Sequence, residues 1–156
     1  MKRKIGIILS WLFVLLCCIG IFLFSAQNGM DSAALSGEVM GPFARILTLL
    51  FGEAGHNVFR KFAHFFIYMV LMFFLYHAFY RTRKNRRLSA LLPYALCILY
   101  AVSDEVHQYF VPERACRLFD VGVDALGAAA GGLCFYLLAK LCLHVSQKRS
   151  MRRKTQ

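Results

Sequence analysis

The chain has 156 residues, 59% of them hydrophobic and only 17% charged, yet its formal net charge is +11. Soluble domains carry about 25% charged residues, so this much apolar side chain excludes disorder and argues against a small soluble globule. Six cysteines in this length exclude a disulfide-rich scaffold.

Thirteen of the 19 Lys and Arg residues fall in three runs. Lys2, Arg3 and Lys4 open the chain. Ile5–Phe24 follows without a charge, and its 20 residues span about 30 Å as a helix, the thickness of a bilayer core. A cleaved signal peptide fits less well, because the apolar run is too long and Phe24 would fill a site that wants a small residue. A second apolar stretch covers about 62–80 and ends at the second basic run, Arg81, Arg83, Lys84, Arg86 and Arg87. A third covers about 88–110 and is stopped by Pro112. A fourth covers about 121–145. A basic tail, 146–156, carries Lys148, Arg149, Arg152, Arg153 and Lys154.

The expected architecture is therefore all-α, one integral membrane domain over 1–156 with four spans packed as a four-helix bundle. Lys and Arg concentrate in cytoplasmic loops, and four spans put all three basic runs on one side. Both termini are then cytoplasmic. The opposite loops are balanced or acidic: Asp31, Glu38 and Glu53 against Arg45, then Asp104, Glu105, Glu113 and Asp120 against Arg114 and Arg117. The basic runs lack interleaved aromatics, so no nucleic-acid partner is expected; membrane lipids are.

Polar residues at span ends carry the remaining information, because charge near hydrocarbon is costly. Arg60, His64 and Tyr68 are spaced to share one helix face, with Lys61 beside them. Snorkelling to the interface accounts for Arg60 and Lys61 but poorly for His64. Ser103, Asp104, Glu105, His107 and Gln108 close the third stretch, with Asp104 and Gln108 on one face. A wet helix end is the plain reading, yet the stretch is too short for both acids to clear the membrane. Asp120 and Asp124 open the fourth stretch. The helix dipole favours Asp120; Asp124 lies a turn deeper and needs a partner among Arg60, His64 and Arg114. Gly127 and Gly131 form a GxxxG that lets helices approach closely, within the bundle or across a homo-oligomer. No HExxH or cysteine pattern suggests a metal, and no cofactor motif is present.

Taken in order, these motifs resemble the VanZ-like family of bacterial membrane proteins. The resemblance rests on Phe24-Ser25-Ala26-Gln27 with Ser32 and Ser36; on Arg60-Lys61 with His64 and Tyr68; and on Ser103-Asp104-Glu105 with Gln108, Phe110, Pro112, Arg114, Asp120, Asp124, Gly127 and Gly131. It covers about residues 20–132. Glu113 stands where the family usually has Gly, and Asp124 where it often has Asn. The resemblance implies a multi-pass protein of the bacterial cytoplasmic membrane and a link to low-level resistance to the glycopeptide teicoplanin.

Three readings of function follow. In the leading one, a polar pocket of Arg60, Lys61, His64, Tyr68, Ser103, Asp104, Glu105, Gln108, Arg114, Asp120 and Asp124 binds or modulates a cell-envelope component at the outer leaflet. A lipid-linked cell-wall precursor or a glycopeptide is the expected partner, since guanidinium groups pair well with phosphate and carboxylate. In the second, the acids and histidines act on a lipid-linked phosphate or headgroup as acid and base, with or without a divalent metal. In the third, the charges only hold the helices together.

Overall fold

A computed structural model describes residues 2–27, 49, 50, 52, 55–82, 88–112, 114 and 116–154. Asp31, Ser32, Ser36, Glu38, Arg45, Glu53, Glu113 and most of the basic run at 81–87 lie outside them. Among the described residues the regular elements are four helices and no strand: α1 (Lys2–Ser25), α2 (Gly55–Thr82), α3 (Leu88–Tyr109) and α4 (Leu118–Lys154).

α1, α2 and α4 each enclose one expected span and overrun it at both ends, while α3 starts with its span at Leu88 and ends one residue short of it, at Tyr109. α1 is unbroken by proline and closes with Ala26 N–H donating to the Phe22 carbonyl at 2.9 Å. α3 carries Pro93 as its sixth residue, which forgoes one i→i−4 backbone bond. It ends in tightened turns, Phe110 N–H to His107 O and Val111 N–H to Gln108 O, both 3.0 Å, before Pro112. α4 has 37 residues, about 55 Å of helix. It does not stop near 145 but continues to Lys154, because 146–154 contains neither Gly nor Pro to break it.

Three of the helices hold stretches long and apolar enough to cross a membrane: Lys4–Ser25, Asn57–Thr82 and Leu118–Lys148. Among the described residues α3 is not one of these, and its last turns carry Asp104, Glu105, His107 and Gln108. The outside of the bundle is greasy: Ile8, Leu15, Leu23, Leu99, Leu126 and Leu133 are all more than half exposed. Apolar surface on this scale suits a nonaqueous solvent.

α2 is the central helix. It packs most extensively on α4, then on α1 and α3, while α1 and α3 pack on each other less extensively. Its Tyr68, Leu71, Met72, Leu75, Ala78 and Phe79 form the core with Val14 and Ile21 of α1, Cys97 and Ala101 of α3, and Ala128 of α4. The α2–α4 contact is close because of Gly127 and Gly131. A methyl group at either would run into a backbone carbonyl of α2, that of Phe65 or Met69 respectively. The GxxxG is thus spent inside the chain.

Candidate functional site

One end of the bundle collects the buried charge. The antiparallel course of the helices brings there the last turn of α1, the first turns of α2, the last turns of α3, the 110–117 link and the first turns of α4. Asp104, Glu105, Gln108, Asp120 and Asp124 are all buried. Burying carboxylates is costly unless they are paired, so their partners define the site.

α2 and α4 supply two rungs. Lys61 Nζ pairs with Asp120 Oδ1, and the same ammonium lies 4.4 Å above the Phe119 ring. One turn deeper, His64 Nδ1 approaches Asp124 Oδ1 to 3.3 Å. Asp124 therefore takes His64 rather than Arg60 or Arg114. The imidazole is not aligned for a hydrogen bond, so His64 Nδ1 and both Asp124 oxygens have no hydrogen-bond partner among the described residues. A further turn in, Tyr68 is fully buried and its hydroxyl is likewise unpartnered. Arg60, His64 and Tyr68 thus follow one another at successive turns of α2.

α3 adds the second wall. Gln108 Nε2 donates to Ser25 Oγ of α1 at 2.8 Å and to Asp104 Oδ2 at 3.2 Å. Glu105 Oε2 accepts from the Arg117 backbone N–H at 2.9 Å, while its Oε1 is buried without a partner. Ser103 is exposed, and its hydroxyl donates back to the Tyr100 carbonyl at 2.7 Å, which turns it away from the cluster. His107 stacks on Phe22 of α1, centroids 4.7 Å apart.

The link brings in Arg114, which donates to the Phe24 carbonyl at 3.4 Å and keeps a buried, unpartnered Nε. Burial, with Arg60 as the nearest like charge, holds the Arg114 guanidinium below its ordinary value, while Asp104 and Glu105 pull it back up. Neither Arg60 nor Arg114 forms an ion pair with a described acid. Arg60, Lys61, His64, Gln108, Asp120 and Val123 line a cavity of about 10 Å³, enough for roughly one water. Among the described residues no three His, Cys, Asp or Glu side chains gather as a metal site.

The site includes two contributors that were not among the expected pocket residues. Ser25 lies in the Phe24–Gln27 motif, but a serine at a helix end has an ordinary capping role, which hides its bond to Gln108. The Arg117 backbone N–H carries no side-chain signal at all.

The sequence model of the VanZ/LLP1 family matches residues 10–139, a segment that contains every residue of this site. No curated protein and no solved structure matches the chain.

Proposed function

The chain belongs to the VanZ/LLP1 family, and from that premise we propose that it binds an anionic group of a cell-envelope component at the outer face of a bacterial cytoplasmic membrane. In this reading all four helices span, and α3 hides its acids among its neighbours. The basic runs at 2–4, 81–87 and 148–154 face the cytoplasm, which turns the acid-rich end outward. The anion is a phosphate or carboxylate of a lipid-linked cell-wall precursor, and its capture contributes to glycopeptide tolerance.

The observation that carries this reading is the pair Arg60 and Arg114. Both are half-buried and neither forms an ion pair with a described acid, while Arg114 keeps a buried Nε with no acceptor among the described residues. Guanidinium is suited to bind phosphate. Arg114→Ala should abolish any teicoplanin tolerance the protein confers while leaving its level in the membrane unchanged, by growth inhibition and immunoblot. Unchanged tolerance would overturn the proposal.

The His64–Asp124 pair favours a second reading, an enzyme that cleaves a lipid-linked phosphate, because a buried carboxylate beside an imidazole can orient it as an acid or base. Release of inorganic phosphate from phosphatidic acid by the purified protein, lost in His64→Gln, would favour the enzyme over the binder.

A further inference from the structure

We infer that the anion site is proton-coupled: an anion held by Arg60 and Arg114 draws a proton onto the His64–Asp124 pair. This rests on the anion-binding reading above and adds its regulation.

The charge balance of the site leads there. Among the described residues, four carboxylates are buried at this end, those of Asp104, Glu105, Asp120 and Asp124. The half-buried permanent cations described there are three, Arg60, Lys61 and Arg114. Lys61 is committed to Asp120. Asp104 is stabilised by Gln108, and Glu105 through one oxygen by the Arg117 backbone. Asp124 is the outlier. It is 0% exposed, and neither oxygen has a hydrogen-bond partner among the described residues. Among the described residues its ion-pair partner is His64, which can meet that charge only by holding a proton.

His64 also faces the cavity that Arg60 and Lys61 line. It is thus the titratable group shared between the buried carboxylate and the cationic rim. The other groups around it come from every packed element. α2 contributes the Tyr68 hydroxyl, whose ring stacks 6.4 Å from the imidazole. α3 contributes Asp104 and Glu105, and α4 contributes Asp120 beyond Asp124. Arg114 of the link acts on Asp104 and Glu105, and α1 supplies the neutral Ser25 hydroxyl, held through Gln108. An anion added at the rim increases the negative charge around an imidazole already set among acids, so it favours the protonated form. Linkage makes the effect reciprocal: lowering the pH must tighten anion binding by the same factor.

The test is titration calorimetry on the detergent-solubilised full chain with inorganic phosphate, in buffers of differing ionisation enthalpy. Wild type should take up about half to one proton more per phosphate bound than Asp124→Asn or His64→Gln at neutral pH. The ligand's own titration is common to all three proteins and cancels in the difference. Sulfate, which does not titrate near neutrality, gives a second measurement on wild type alone. Its affinity should fall severalfold from about pH 6 to about pH 8, across the usual range of His titration. Short-chain phosphatidic acid run in parallel separates a lipid headgroup, bound more tightly, from free phosphate. Anion binding with no excess proton, or a sulfate affinity flat with pH, overturns the coupling and leaves the binding reading standing. No binding of any of the three anions overturns both.

Discussion

The bundle has two polar ends, and they are built on opposite principles. At the end described above, buried atoms of His64, Tyr68, Glu105, Arg114 and Asp124 lack hydrogen-bond partners among the described residues. At the other end the polar side chains close on one another. Ser10 Oγ donates to the Gly6 carbonyl at 2.8 Å and lies 3.1 Å from His77 Nδ1. Since the hydroxyl proton is already used, His77 must be the donor, and the pair is a tether between α1 and α2 rather than a primed nucleophile. Trp11 Nε1 donates to Thr82 Oγ1 at 3.1 Å, and that hydroxyl donates to the Ala78 carbonyl at 2.7 Å. A serine–histidine pair and a histidine–aspartate pair look equally catalytic in isolation. Satisfaction of their hydrogen bonds separates them: a closed network stabilises, whereas an open one holds polar groups ready for something else.

Three substitutions break or sharpen this contrast. Gly131→Val has the largest effect, because the added carbons meet the Met69 backbone, which cannot give way. It should lower stability by about 3 kcal/mol, at the upper end of overpacking costs, and damage both ends alike. Thermal unfolding in detergent measures this, and an unchanged midpoint would mean that α2 and α4 do not touch there. Asp124→Asn acts at the open end and should have the unusual sign. At about pH 8, where an ordinary imidazole is neutral, replacing a buried carboxylate that lacks hydrogen bonds should raise stability by about 1–2 kcal/mol. Ser10→Ala acts at the closed end and should lower stability by about 1 kcal/mol, leaving His77 without its acceptor, with phosphate affinity unchanged. If Asp124→Asn and Ser10→Ala shift the midpoint in the same direction, the distinction between the ends fails.

Much of this was legible in the sequence. The apolar runs gave four helices because a helix satisfies its own backbone in lipid, and spacing alone put Arg60, His64 and Tyr68 on one face. The i, i+4 relation also foretold the Asp104–Gln108 bond. Choice among equivalent partners was not legible. Asp124 had three candidate bases, and the register between α2 and α4 decided for His64. Nor was Ser103 readable as an outsider, since its neighbours Asp104 and Glu105 point inward while it points out. The tether of Ser10 to His77 joins residues 67 apart in the chain, too distant for any local pattern. The run to Lys154 in α4 escaped notice because charge reads as a tail, although charged residues are good helix formers.

The spacing of contacts along α4 sets a limit on how the site can move. Asp120, Asp124, Gly127 and Gly131 meet Lys61, His64, Phe65 and Met69 in order, like teeth engaged in a rack. Sliding α4 along α2 would drive backbone into backbone before either ion pair had moved a full turn. Those two helices therefore form the fixed jaw of a vice. α1 and α3 close the site across from them, joined by the Gln108–Ser25 bond, the Phe22–His107 stack and the Tyr100 hydroxyl donating to the Cys18 carbonyl at 2.7 Å.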